Sequence, residues 1–282
     1  MVQVTTCTLD VPGACLYYEI RGSGPVLLLM GAPLPSAFSA RMADVLAAEY
    51  TVVTYDPRGI SRSARDDPDQ DVTPELLADD VHRLLAALGS EPAYLYGNSG
   101  GATTGLALVT RHPQQVHALV AHEPPLPELL PERAQLRAMI DDVYVAYRDD
   151  GPEAAWRKFL IGTGIGGGSV TGPQRDAGDA GPRIAGAGNQ ADDHCFFAHM
   201  LRPFTRYQPD IRALRAASAK IVVGAGIRSA GELPHRAAAA LAARLDMPLA
   251  DFPGGHASFG DQPGPFGQAL RQVLAGTSAA RR

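Results

Sequence analysis

The chain has 282 residues, 45% of them apolar and 20% charged, with 25 basic against 30 acidic side chains and a net charge of −5. That length suits one α/β core carrying an insertion, and the composition excludes wholesale disorder. With no basic block in the chain, neither nucleic acid nor an anionic membrane surface is expected as a partner. A neutral or modestly polar small molecule is expected, and homodimerisation is left open.

The N-terminal "MVQVTTCTLD" lacks the charged-then-apolar pattern of a signal peptide, and the longest apolar run, "VLLLMGAPL" from Val26, is too short to span a membrane, so a cytoplasmic protein is expected. Cys7, Cys15 and Cys195 have neither CxxC nor Cys/His metal spacing and are expected to be buried thiols in a reducing compartment. "VQVTTCTL" and "ACLYYEIRG" read as an antiparallel pair turning at Pro12-Gly13. "PVLLLMG" and "YTVVTYD" follow as continuous apolar strands of the kind buried on both faces. Thr73-Pro74-Glu75 supplies an N-cap, a proline at the first helical position and an early acid, and the stripe Leu76, Leu77, Val81, Leu84, Leu85 and Leu88 runs to a stop at Gly89. Next come "AYLYG" as a strand, a helix to about Arg111 and "VHALVAHE" as a strand; this alternation predicts a parallel sheet with helices on both faces.

After Glu123 the alternation stops. Residues 124–210 hold helical stretches, "RAQLRAMIDDVYVAYRDD", "PEAAWRKFLIG" and "ADDHCFFAHMLRPFTRY", and a glycine-rich stretch from Gly162 to Gln190. They are expected to form a helical cap with a mobile segment, inserted into a core of residues 1–123 and 211–282. No strand feeds the glycine run and no GK[ST] ends it, so it reads as a surface loop, not a phosphate cradle. "AKIVVGAG", "PHRAAAALAARL", "MPLADFPGGH" and "PFGQALRQVLAG" then resume strand, helix, strand and helix.

Gly97-Asn98-Ser99-Gly100-Gly101 matches G-x-S-x-G between a buried strand and a helix. A serine at such a corner takes a strained backbone conformation, its neighbours two residues away must be small, and the helix N-terminus offers free N–H groups to a developing oxyanion. Ser99 therefore reads as a nucleophile. Together with "LLLMGAP" after the third strand, "YDPRGISRS" from Tyr55 and "FPGGHASF" near the C-terminus, this stretch resembles the α/β-hydrolase superfamily over nearly the whole chain.

The resemblance implies a nucleophile, an acid and a histidine in that chain order. His256, in a loop loosened by Gly254 and Gly255, is the implied base. The amides of Ala32 and Gly100 are the implied oxyanion donors, and Met30 stands where relatives carry a loop-bracing histidine. Asp56, Arg58 and Gly59 match a structural turn and are assigned no chemistry. No carboxylate occupies the usual acid position, where the chain reads Gly224-Ala225-Gly226-Ile227-Arg228-Ser229-Ala230-Gly231-Glu232. Glu123, ending "VAHE" ahead of two stiffening prolines, resembles the position used by one branch of the superfamily and is preferred to Glu232; Asp251 lies too far down its strand.

Serine at the elbow argues against the epoxide hydrolases and dehalogenases that the fold also hosts, which resemble one another in using aspartate there. The expected function is hydrolysis of a carboxylic ester or lactone of a largely hydrophobic small molecule through an acyl-enzyme, with no cofactor. The alternatives are a catalytically impaired ligand-binding member and a cofactor-free oxygenase or lyase. Met30, Trp156, Phe197, Met200 and Phe204 are the expected substrate-binding residues, among cap aromatics that also include Phe159, Phe196 and Tyr207.

Overall fold

The hairpin of β1 (Val4–Val11) and β2 (Ala14–Arg21) turns at Gly13, whose φ of 76° suits a residue without a side chain. In this computed structural model, residues 2–89, 91–166 and 189–279 are described. After the hairpin come β3 (Val26–Ala32), α1 (Ala40–Leu46), β4 (Thr51–Tyr55), a two-residue β5 (Ala64–Arg65), α2 (Pro74–Leu88), β6 (Ala93–Ser99), α3 (Gly100–Arg111) and β7 (Val116–His122). The helices α4 (Arg133–Asp150), α5 (Pro152–Thr163), α6 (Gln190–His194), α7 (Leu201–Thr205) and α8 (Ile211–Ala216) intervene before β8 (Lys220–Gly226), α9 (Leu233–Leu245), β9 (Leu249–Phe252), α10 (Ser258–Asp261) and α11 (Pro263–Ala279).

The sheet runs β1-β2-β4-β3-β6-β7-β8-β9, with β5 beside β2. It is antiparallel from β1 to β4 and parallel from β4 onward. Both faces are covered, which is why the strands read as unbroken apolar runs. Leu28 and Met30 of β3 pack with α2, α3 and α9, whereas Leu27 and Leu29 pack with α1 and α11 on the other face. Thr73 caps α2 by accepting from the Leu76 N–H at 3.2 Å, as its sequence predicts.

Among the described residues, 124–210 contribute no strand. Ile140 and Val143 of α4, Ala155 of α5 and the Phe196–Phe204 stretch share a cluster that also takes in Ala32 at the end of β3 and Leu77 of α2. The helix expected over "ADDHCFFAHMLRPFTRY" is interrupted by a π-type turn at Cys195–Met200. Pro203 has no N–H to offer the His199 carbonyl, and that carbonyl accepts from Val72 N at 3.0 Å, tying this helix to the core.

Most of the glycine-rich stretch expected to be mobile, residues 167–188, lies outside the described residues. Of the three cysteines, all free thiols, only Cys195 is buried; Cys7 and Cys15 are half-exposed because they sit on the hairpin at the sheet's edge. No described helix is long and apolar enough to cross a membrane.

Candidate active site

Ser99 is the last residue of β6 and the one before α3, at φ 55° and ψ −123°. A non-glycine residue there is strained, and its surroundings hold it in place. A Cβ on Gly97 would lie 2.5 Å from the Gly101 carbonyl oxygen, and one on Gly101 would lie 2.2 Å from that of Met30. Helix α3 therefore lies too close to β6 for a side chain at Gly97 and too close to β3 for one at Gly101. Gly100 sits equally tight, with its Cβ position 2.6 Å from the Ala32 oxygen. As the first residue of α3, Gly100 carries one of the N–H groups that the helix ladder cannot use. Ala32 is paired in register with Ser99, so both candidate oxyanion residues flank the serine.

The loop after β3 lacks the bracing histidine, yet it is held from the end of β4. Asp56 Oδ1 accepts from Ser36 N at 2.7 Å, and Arg62 binds both Asp56 and the Ser36 hydroxyl. Arg58 forms a buried ion pair with Asp80 at 2.6 Å, in keeping with a structural role for this turn.

Glu123 follows β7 directly and, like Ser99, has a positive φ, 48°. Its side chain is fully buried and receives three donors. Oε2 lies 2.6 Å from His256 Nδ1, while Oε1 accepts from the Gly226 N–H at 2.8 Å and from the Ser229 hydroxyl. Ser229 Oγ also lies 2.8 Å from the Gly226 carbonyl oxygen, which accepts the Ser229 N–H at 3.2 Å, so the hydroxyl sits between that carbonyl and the Glu123 carboxylate. Burial alone would push the Glu123 carboxyl up. The His256 imidazole, His122 and the Ser229 hydroxyl outweigh that burial and hold it at about 2, so the group is ionised at neutral pH.

Ser229 has no counterpart among the residues expected from sequence. The signal was its spacing, three residues after Gly226, in the turn where the resemblance implies an acid; a hydroxyl stands there and binds the carboxylate supplied from the end of β7. Glu232 precedes α9 as its N-cap residue, and Asp251 is exposed on β9; the carboxylate on His256 is that of Glu123. The His256 loop is fixed by Gly255 N donating to Ser258 Oγ at 2.8 Å and Arg228 N donating to the Gly254 carbonyl at 2.8 Å.

Ser99, Gly100, Ala32 and His256 line one cleft of about 790 Å³, part of it open to solvent. Its remaining walls include Pro33, Leu34, Leu233 and Pro234, Pro125 just after β7, and Ile140, Trp156, Phe159, Phe196, Met200 and Phe204 from the helices between β7 and β8. His256 is the only titratable side chain in the described lining. Thr163 and Thr205 also reach it, but each hydroxyl donates at 2.7 Å to a carbonyl of its own helix, Phe159 and Leu201 respectively. The Trp156 indole N–H is likewise engaged, by Asp193 at 2.8 Å.

Of the five expected substrate-binding residues, Trp156, Met200 and Phe204 face this cleft. Met30 does not, because strand alternation turns it beneath α3 into the core, with its Cε 3.2 Å from where a Gly105 Cβ would be. Phe197 does not either: it is fully buried between Trp156 and Tyr147, at ring-centroid distances of 4.9 and 5.3 Å, and holds the helices together. Among the described residues no group of three or more His, Cys, Asp or Glu side chains is placed to share a metal ion.

A family model described as the alpha/beta hydrolase fold matches residues 24–162. An uncharacterized hydrolase of Bacillus subtilis (strain 168), YraK, is 33% identical over 286 residues, covering 95% of each chain. The solved structure of a thermophilic esterase from Thermogutta terrifontis superposes with a TM-score of 0.71 at 20% identity, over 98% of this chain and 99% of that one. That of the enol-lactonase from Burkholderia xenovorans LB400 gives 0.69 at 18% identity, over 95% and 100%. At those identities the two structures speak to the fold alone. With the sheet order, the elbow at Ser99 and a relative alike along almost its entire length, the chain belongs to the α/β-hydrolase family of hydrolytic enzymes.

Proposed function

We propose that the protein is a serine hydrolase cleaving a carboxylic ester or lactone of an uncharged, largely hydrophobic small molecule through an acyl-enzyme. One observation carries this reading: a strained elbow serine and a carboxylate-bound histidine open onto the same cleft, whose walls offer no charge. Residues 124–210 act as a cap that supplies the apolar wall, over a core of residues 1–123 and 211–282. The names of the esterase and enol-lactonase of like fold agree with this chemistry.

In this reading Ser99 Oγ attacks the carbonyl carbon as His256 Nε2 takes its proton. Glu123 keeps the other imidazole proton on Nδ1 and stabilises the imidazolium that forms. The tetrahedral oxyanion turns toward the amides of Ala32 and Gly100, and fixed donors in a water-poor site favour that charge over the neutral ground state. His256 returns the proton to the leaving alkoxide, giving an alcohol and an acylated Ser99. Water, deprotonated by the same nitrogen, then releases the acid.

The test is pre-steady-state hydrolysis of p-nitrophenyl butyrate, with intact-mass analysis of the quenched protein. A burst of p-nitrophenol, a butyryl adduct on Ser99 and loss of both in Ser99→Ala are expected. Saturable binding without an adduct would instead mark a ligand-binding protein, and Ser99→Ala retaining most of its activity would mark chemistry in which the hydroxyl only hydrogen-bonds.

A further inference from the structure

Beneath the reacting groups lies a polar pair with no part in the steps above. Asn98 and His122 are the last register partners of β6 and β7, and their side chains meet in the core, with Asn98 Oδ1 2.8 Å from His122 Nδ1. Both are almost completely buried, at 1% and 0% exposure. The His122 ring is walled edge-on by Phe252 and Phe266, each with centroids 5.3 Å away. Burial holds its pKa down to about 4, so at neutral pH the ring is uncharged and donates from Nδ1 to Asn98. Its Nε2 and the Asn98 Nδ2 find no partner among the described residues.

On stability grounds this pair is a poor choice. Two polar side chains have been taken out of water, and each keeps a polar atom unpaired. Two apolar side chains of similar shape would pack the same space without that desolvation cost. The pair's location supplies the reason for it. The residue after each of them in the chain is a candidate triad member held at positive φ: Ser99 at 55° and Glu123 at 48°. The backbone pairing between β6 and β7 ends at Asn98 and His122, so their side-chain bond is the last cross-link before both chains turn.

We propose that Asn98 and His122 are positioning residues, a buried strap that fixes the ends of β6 and β7 against each other and so sets the placement of Ser99 relative to Glu123 and His256. This rests on the serine-hydrolase reading and deepens it. An apolar replacement of the strap leaves the protein as stable as before and loosens the triad. Loss of alignment then appears in turnover and acylation, with little change in the binding of substrate to a cleft that neither residue lines.

The experiment is the double variant Asn98→Leu/His122→Phe, compared with the wild type in thermal melting, in kcat and KM for p-nitrophenyl butyrate, and in the rate of Ser99 labelling by an alkyl fluorophosphonate. Expected are a Tm equal to or above the wild type, KM within about twofold, and kcat and labelling rate each lowered 10-fold or more. Wild-type kcat and labelling in a folded double variant would overturn the strap, as would a fall in Tm accompanying the loss of activity. Should the double variant not fold, His122→Gln, whose amide can still donate to Asn98, is set against His122→Phe. The strap requires His122→Gln to keep kcat within about threefold while His122→Phe loses it, and equal losses would overturn the strap. Failure of the parent reading looks different, because the wild type itself would then neither label at Ser99 nor turn over.

Discussion

On one side of the His256 ring, Glu123 gathers three hydrogen-bond donors on a single buried carboxylate; on the other side, the cleft presents Trp156, Phe159, Phe196, Met200 and Phe204, with every threonine hydroxyl turned back into its own helix. The two environments lie on either side of one imidazole and serve opposite ends. A carboxylate stays charged away from water only if donors replace its hydration. An apolar substrate gains most from a wall that needs no hydration at all, and the same dryness strengthens the interaction between His256 and Glu123. The largest expected effect comes from spoiling the polar side. Glu123→Gln preserves shape but offers His256 an amide, which can stabilise neither the correct tautomer nor the imidazolium. On the proposed mechanism kcat should fall by about 10³-fold or more while KM hardly moves. Steady-state kinetics with p-nitrophenyl butyrate checks this, and a drop below tenfold would remove Glu123 from the triad.

Two neighbouring aromatics sharpen the contrast within the dry side. Phe197 is fully buried among the cap helices and Trp156 faces the cleft, although their rings touch at 4.9 Å. Phe197→Ala should cost about 3–5 kcal/mol of stability, as large-to-small changes in a packed interior do. Trp156→Ala should raise KM for long-chain p-nitrophenyl esters by about 10-fold, roughly 1.4 kcal/mol, with a smaller loss in urea denaturation. If the two variants exchange phenotypes, the cleft has been misplaced by one helical face.

Acid should undo the polar side first. The Glu123 carboxyl is held at about 2, against roughly 4.3 in an unfolded chain. The unfolded state therefore takes up a proton that the native state refuses. The resulting stabilisation is complete above about pH 5, is lost as pH falls toward 2, and amounts to roughly 3 kcal/mol. His122, held at about 4 against roughly 6.5 unfolded, works in the same direction between those values. Urea midpoints of the wild type should decline below about pH 6.5, and in Glu123→Gln the part of the decline below about pH 5 should flatten. An unchanged curve in that variant would mean that Glu123 is not held ionised by its donors.

What the sequence made legible followed local rules. Gly97, Ser99 and Gly101 announced the elbow because only a backbone without side chains fits where α3 nearly touches β6 and β3, and the strands on either side were apolar on both faces because helices cover both. Glu123 was legible in part, since its place at a strand end marked it while nothing local said which carboxylate meets His256. The answer depends on Ser229 and Gly226, about a hundred residues away, joined to Glu123 only through the pairing of β7 with β8. Met30 and Phe197 were misplaced for a related reason: apolarity signals burial but not which side of a strand or helix does the burying. Helix α1 was not anticipated because its seven residues are too few for a clear apolar stripe. The π-type turn at Cys195–Met200 needed Val72, from another part of the chain, to claim the His199 carbonyl.

The smallest expected effect probes whether the cleft is as dry as its lining implies. Thr205 reaches the cleft, is 6% exposed, and has its hydroxyl 2.7 Å from the Leu201 carbonyl of the preceding turn. If that hydrogen stays within the helix, the substrate meets Thr205 as a methyl group, and Thr205→Val replaces one apolar contact with another of the same shape. The Leu201 carbonyl loses only a supplementary donor, so stability should change by about 1 kcal/mol or less. The ratio kcat/KM for p-nitrophenyl butyrate should stay within about twofold. A tenfold loss at constant Tm would mean that the hydroxyl leaves its helix to hydrogen-bond the ester. The cleft would then hold a polar contact beyond the reacting groups, and the preferred substrates would carry an acceptor at that depth.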